Sequence, residues 1–283
     1  MLKIRINGGL GNQLFQYATA FALAKNNKTE MVVDISEAVN YSVHPLRLTE
    51  LNCSARFDDK ASLQDKILLH PRLIRFASMF FKQYYIESSL KHDSALQEIA
   101  NNKLLIGYFQ CEKYFKSYRD ELLKEFLPKK DFSNYQRSLA EKIKSVNSLS
   151  IHIRRGDYII NPDANAIHGV CDKEYFDRAI KYLVEQKFIS NKTNIFLFSD
   201  DIEWCKTHLN FPYSTVYVEG DAHCPELDMW LMSYCNHNII SNSTFSWWGA
   251  WLNKNSDKVV VAPQKWFANG MECDIQAESW VLQ

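Results

Sequence analysis

From Leu149 onward the chain alternates between two hydrophobic periods. Apolar runs at Leu149–Arg154, Asn194–Ser199, Ser214–Val218, His237–Ser241 and Lys258–Val261 read as strands. Helical spacing at Lys173–Glu185, Ile202–His208, Glu226–Tyr234 and Phe245–Leu252 fills the gaps between them. Strands separated by helices pair in parallel, because each crossover returns the chain to the same end of the sheet. The amino terminus carries the same signal. Leu2–Ile6 alternates as a strand, Gly8, Gly9 and Gly11 make a turn, and Leu14, Tyr17, Ala18, Phe21 and Ala24 recur at helical spacing. Glu30–Asp34 and Leu104–Phe109 read as further strands, Glu112–Phe126 and Ser133–Lys144 as helices, and Leu127–Asp131 as a linker. The expectation is an α/β chain of two Rossmann-like domains facing across a cleft. They span residues 1–128 and 149–283, with a linker and helix over 129–148. Ligands of such sheets sit beyond the carboxyl ends of the strands, so the chemistry is expected in those loops.

Composition narrows the function classes. Lys plus Arg and Asp plus Glu are 33 each, so the chain lacks the basic excess that nucleic-acid binding needs. A small anionic ligand requires only a few local cations and stays open. The seven cysteines are scattered, with no C-x-x-C, which argues against a disulfide framework or a structural zinc site and predicts a reducing compartment. Met1–Asn7 lacks the charged head and apolar core of a signal peptide. No apolar run approaches the ~18 residues of a membrane span. A cytoplasmic location is expected. Residues Ser62–Lys91 interleave Leu68, Leu69, Ile74, Phe76, Met79, Phe80 and Phe81 with Lys66, Arg72, Arg75 and Lys82. They read as a basic helix whose apolar face either packs on the core or touches a partner or the inner face of a membrane.

Four motifs stand at predicted strand ends. Gly8-Gly-Leu-Gly-Asn-Gln13 follows the first strand and opens a helix, where Gly9 and Gly11 let a ligand approach backbone N–H groups. With Asp34 at the end of the second strand it looks like a dinucleotide fingerprint, but Leu14 replaces the third glycine. Either a bare tight turn or a ligand-facing one fits, and the amides of Asn12 and Gln13 favour the second. His152-Ile-Arg-Arg-Gly-Asp-Tyr158 places His152 and Arg154 on one side of a strand end, with Arg155 and Asp157 turning inward after it. A guanidinium grips phosphate oxygens bidentately, so this group suits a pyrophosphate. Phe198-Ser-Asp-Asp201 offers Asp200 and Asp201 to a base or ribose, or Ser199 or Asp200 as a helix cap. Ser241-Asn-Ser-Thr-Phe-Ser-Trp-Trp-Gly-Ala-Trp251 brings Ser243, Thr244 and Phe245 to a helix start suited to an anion. The tryptophans behind them read as core. There is no G-x-x-x-x-G-K-[ST] loop, D-x-D or G-x-S-x-G elbow.

Taken together and in order, the glycine-rich block Gly8–Ala18, His152–Tyr158, Phe198–Asp201 and Ser241–Leu252 resemble the α-1,2-fucosyltransferases of glycosyltransferase family 11. The likeness is greatest to bacterial members that build surface polysaccharide such as lipopolysaccharide O-antigen. The resemblance implies a GT-B architecture, GDP-β-L-fucose as donor, and a β-galactoside-terminated glycan, lipid-linked or free, as acceptor. It implies inverting transfer to the galactose 2-hydroxyl without cofactor or metal. In that frame Arg154 holds the β-phosphate. Ser243, Thr244 and the helix start at Phe245 serve the other phosphate oxygens. His152 touches ribose or phosphate, Arg155 adds charge, and Asp200 or Asp201 reads guanine or ribose. Asp157 is a candidate base for the acceptor proton, with proton uptake by the departing phosphate as the other route. Asn12 positions donor or acceptor. The competing reading is an NAD(P)-dependent oxidoreductase built on Gly9, Gly11 and Asp34. A non-catalytic sugar-binding module is the other.

Overall fold

The computed structural model describes residues 1–40, 44–60, 62–68, 73, 80–99 and 101–283. The chain divides into two compact units, Met1–Lys129 with Cys273–Ile275, and Lys130–Glu272 with Gln276–Gln283. The predicted linker helix, now Asn134–Ser145, belongs to the second unit. Ser133 and Gln136 form a capping box at its start, each side chain meeting the other's backbone N–H.

In the first unit the strands are β1 (Leu2–Arg5), β2 (Met31–Asp34), β3 (Arg56–Asp58), β4 (Tyr84–Ile86) and β5 (Leu104–Ile106). They form a parallel sheet in the order β3-β2-β1-β5-β4. The chain leaves β1 toward β2 on one side, and β5 closes the other side. The glycine-rich turn after β1 therefore stands at the topological switch, where strand ends diverge and leave a crevice. It leads into helix α1 (Leu10–Asn26), which is buried from Gln13 through Ala24. Small residues at Ala18, Ala20, Ala22 and Ala24 let this helix lie inside the fold on all faces.

In the second unit β6 (Ser148–Ile153), β7 (Asn194–Ser199), β8 (Ser214–Tyr217), β9 (His237–Ile239), β10 (Val260–Ala262) and β11 (Val281–Leu282) form a parallel sheet. Its order is β11-β10-β9-β6-β7-β8. Every residue of β6 is buried, as a central strand covered on both faces requires. Leu149, Ile151 and Ile153 pack with Tyr175, Phe176, Ala179 and Leu183 of the helix Lys173–Glu185. The helix Thr244–Trp251 buries Trp247 and Trp248 completely, so these rings are core. Gly249 lets that helix approach its neighbour: a Cβ there would lie 3.0 Å from Cβ of Met232. The switch point of this sheet lies between β6 and β9.

Three sequence expectations need correction. Residues 62–91 are not one helix. The described helix there is Leu63–Leu68, and Tyr84–Ile86 is a strand paired in register with β5. β-Branched and aromatic side chains there fit a sheet better than a helix. Residues 69–72 and 74–79, with most of the supposed apolar face, lie outside the described residues. The Glu112–Phe126 helix is two short 3₁₀ turns followed by helix only at Arg119–Glu125. The cap of the helix Ile202–His208 is Asp201, not Ser199 or Asp200. No helix among the described residues is long and apolar enough to cross a membrane.

Candidate functional site

At the switch point of the second sheet, His152 and Arg154 leave β6 as strand alternation dictates, opposite the core-facing Ile151 and Ile153. His152 is buried, its Nδ1 3.0 Å from Oγ of Ser241 and its ring 5.6 Å from that of Phe245. Burial pushes the imidazole down to about 3, a trend that Arg154 reinforces and Asp200 opposes. His152 is therefore neutral at ordinary pH and offers a hydrogen bond rather than a charge. The cations are the arginines.

Nη1 of Arg154 lies 3.1 Å from Oδ2 of Asp200, and the other oxygen of that carboxylate accepts the backbone N–H of Arg155 at 2.8 Å. Gly156 makes this possible, since a Cβ there would stand 2.7 Å from Oδ2 of Asp200. The Arg155 guanidinium stacks 3.4 Å above the Trp204 ring, and its Nε is 3.4 Å from Oδ2 of Asp201. Oδ1 of Asp201 accepts the N–H of Trp204. Both aspartates are thus already bonded to the protein, and Arg155 is held as part of the frame. Arg154 faces the Tyr158 ring at 5.7 Å, and Tyr158 stacks on His168. Asp157 sits in the first turn of the helix Gly156–Ile160, and its side chain lies outside the described residues.

Beside this group, β9 ends in the loop that starts the helix Thr244–Trp251. Its N-cap, Ser243, makes no side-chain capping bond, so the first-turn N–H groups have no cap from that side chain. The buried Asn242 fixes this loop by donating to the carbonyls of His168 (2.7 Å) and Trp266 (3.2 Å). Phe245 is half-buried against His152. His152, Arg154, Arg155, Asp200, Asp201, Ser243, Thr244 and Phe245 thus stand at the carboxyl ends of β6, β7 and β9.

Gly9, Gly11 and Asn12 belong to the first unit, at the switch point after β1. Gly8 has φ +73, a left-handed conformation that glycine adopts without penalty. The buried Gln13 donates to the carbonyls of Gly8 (2.9 Å) and Pro45 (3.0 Å) and accepts the N–H of Arg47 (2.9 Å). Buried Gln16 joins the exits of two strands, bonding both N–H and side chain of Asn7 and the carbonyl of Gly107. Asp34 does not face a ligand. Its Oδ2 accepts Nε (3.1 Å) and Nη2 (3.0 Å) of Arg5, and its Oδ1 accepts both N–H and hydroxyl of Ser36. At 1% exposure it is a structural ion pair, which removes the acid a dinucleotide site needs.

The sequence profile of glycosyl transferase family 11 matches residues 1–282. The chain belongs to glycosyltransferase family 11. It is 35% identical to an alpha-1,2-colitosyltransferase of Escherichia coli, over 93% of this chain and 91% of the other. It is equally 35% identical to the O-antigen biosynthesis glycosyltransferase WbnK of the same organism, over 98% of each. Human galactoside alpha-(1,2)-fucosyltransferase 1 is 24% identical over 90% of this chain and 66% of its own length. Among solved structures, the fold is similar to fucosyltransferase NodZ from Bradyrhizobium (TM-score 0.52, 14% identity, 88% of this chain and 91% of the other). It is similar at the same TM-score to an Arabidopsis thaliana FUT1 mutant bound to GDP (11% identity, 92% and 70%).

Sequence reasoning passed over one acid of this family 11 chain. Asp228, on the helix Pro225–Ser233 that follows β8, is 8% exposed. Its Oδ2 accepts the N–H of Asp221 at 2.9 Å, the Gln136 side chain also bonds the carboxylate, and the buried Oδ1 has no hydrogen-bond partner among the described residues. Burial, with Asp221 and Glu226 nearby, pushes its carboxyl up to about 7. Gly220 makes room for it, since a Cβ there would be 2.8 Å from Oδ2. An acidic residue in a buried helix turn was the only available signal, and helical spacing alone reads it as a solvated first-turn charge.

Proposed function

We propose that this family 11 enzyme transfers L-fucose from GDP-β-L-fucose to the 2-hydroxyl of a terminal β-galactoside, inverting the anomeric centre and using no metal ion. The observation that carries the reading is the family match along the whole chain, with named relatives that include galactoside α-1,2-fucosyltransferases. The GT-B assignment, with the second sheet serving the donor and the first the acceptor, is part of the same proposal. It is supported by a ligand-suited turn at the switch point of each sheet.

As the fucose–phosphate bond breaks, negative charge gathers on the leaving diphosphate. Arg154, oriented by Asp200, neutralises it, and the hydroxyls of Ser243 and Thr244 with the helix start at Phe245 take the remaining oxygens. Preorganised donors of this kind contribute on the order of 3–4 kcal/mol each to a transition state. Neutral His152 hydrogen-bonds ribose or phosphate. Asp228 reads the guanine: the N1–H and N2–H₂ edge of that base presents two donors, which a buried carboxylate with an unpartnered oxygen accepts. This role falls to Asp228 because the oxygens of Asp200 and Asp201 are bonded elsewhere. Asp157 accepts the acceptor proton, with the departing phosphate as the alternative, and Asn12 orients a substrate. The acceptor is a glycan of the O-antigen type in the cytoplasm, as the match to WbnK supports.

A colitosyl donor is the second reading, favoured by the 35% match to a colitosyltransferase. Colitose lacks the 3-hydroxyl of fucose, so the two differ by one polar contact to the sugar. The deciding experiment is GDP release from GDP-fucose in excess EDTA, with and without lactose. Lactose-dependent release supports the reading. Turnover of GDP-colitose but not GDP-fucose would replace it with the second, and binding of NADH but not GDP-fucose would overturn both.

A further inference from the structure

We infer that Gln110 is a positioning residue for the transfer reaction: it sets which end of the Asn12 carboxamide meets the substrate. The inference rests on the proposed role of Asn12 and names the device that controls it. Nε2 of Gln110 donates to Oδ1 of Asn12 at 2.8 Å across 98 residues of chain. A carboxamide presents a donor on one side and an acceptor on the other, and its two orientations have nearly the same shape. With its oxygen held by Gln110, Asn12 turns its amide NH₂ toward the glycine turn. Nδ2 lies 2.8 Å from where a Cβ of Gly8 would stand, and makes no hydrogen bond among the described residues. Asn12 is half-exposed there. The side chain is thus fixed as a hydrogen-bond donor toward an oxygen of donor or acceptor.

Gln110 is itself held in place. Glu87, just past β4, accepts the N–H of Tyr108 (2.7 Å) and of Phe109 (2.9 Å). Phe109 has φ +53, a conformation costly for an aromatic residue. Two bonds to one carboxylate hold it there, and burial of Phe109 adds to that constraint. The left-handed residue turns the chain after β5 so that Gln110 points at the start of α1. Strain held by a carboxylate next to a ligand-facing turn is what a preorganised site requires.

The test compares Asn12→Ala, Gln110→Ala, Gln110→Glu and the Asn12→Ala/Gln110→Ala double variant in steady-state transfer and GDP binding. We expect Gln110→Ala to lower kcat about tenfold with GDP affinity within about twofold of wild type. Gln110→Glu should lower it further, because a carboxylate accepts from the Asn12 NH₂ and reverses the amide. In the Asn12→Ala background the Gln110 change should add nothing. Full additivity, or wild-type kcat in Gln110→Ala, overturns the inference. The Asn12 side-chain amide NMR signals give a readout independent of turnover: Gln110→Ala must shift them, and unchanged signals also overturn it. If those signals shift but wild-type enzyme transfers no fucose, the transferase reading fails and the positioning contact stands.

Discussion

Arg154 and Asp200 lie 3.1 Å apart at the ends of adjacent strands, and Asp200 also holds the backbone N–H of Arg155. One carboxylate thereby aims a guanidinium and fixes the turn that carries it. Arg154 is 28% exposed and Asp200 26%, so the pair is open enough to receive a ligand. Its value for folding is small at that exposure, and its value for orientation is the larger one.

Arg154→Ala should therefore lower kcat/KM for GDP-fucose at least 10²-fold while the melting temperature stays nearly constant. Arg154→Lys should recover part of the loss, because it keeps the charge but not the planar fork. Initial rates of GDP release measure both. Wild-type turnover in Arg154→Ala would remove this residue from the diphosphate site.

Asp228 links base recognition to stability. Its carboxyl keeps its proton up to about 7 when folded and loses it near 4 when unfolded. Between those values the folded state binds more protons, so stability falls as pH rises, and the penalty is complete above about 7. Asp228→Asn should raise the melting temperature at pH 8, leave it unchanged at pH 3.5, and weaken GDP binding. Wild-type GDP affinity should itself decline as pH falls below about 7. Calorimetry and thermal melts across pH check this, and a destabilised variant at pH 8 would contradict it.

His152 predicts the opposite slope. Its imidazole is held down to about 3 in the fold and returns to about 6.5 when unfolded. Below about pH 6.5 the unfolded state takes up the proton first, so stability drops as pH falls toward 3. Wild type and His152→Gln should differ by a constant amount near neutrality, and wild type should lose stability relative to the variant as pH falls below about 6.5. Parallel curves would mean that His152 titrates normally.

Gly107→Ala should be strongly destabilising, because the new Cβ would stand 2.3 Å from Cβ of Glu87, the stiff end of that side chain. Steric overlap in a packed site costs on the order of 1–3 kcal/mol or more. Gly270→Ala is the control: it too has positive φ, but nothing lies within 4 Å. Chemical denaturation of both separates crowding from backbone preference, and equal losses would show that crowding at Glu87 is not decisive.

Much of the fold could be read from local pattern. Strands such as Asn194–Ser199 and helices such as Lys173–Glu185 stand where periodicity placed them. β3 and β11, of three and two residues, are too short to show a period. β4 was hidden in a mixed apolar and basic run that also suits a helix. At the site, the motifs were legible because each follows a strand end.

The sequence alone determined the parallel α/β layout and the position of each ligand-suited turn, since both follow from spacing along the chain and from glycines at strand ends. Tertiary structure decided which polar groups are consumed by one another. Arg5 and Asp34 are 29 residues apart and cancel; Asp200 and Asp201 are taken by the arginines; Asp228 keeps one buried oxygen without a partner among the described residues. Gln110 reaches Asn12 only because β5 lies beside β1. A side chain's chemistry is set by its residue type, but its availability is set by neighbours that the fold brings from far along the chain.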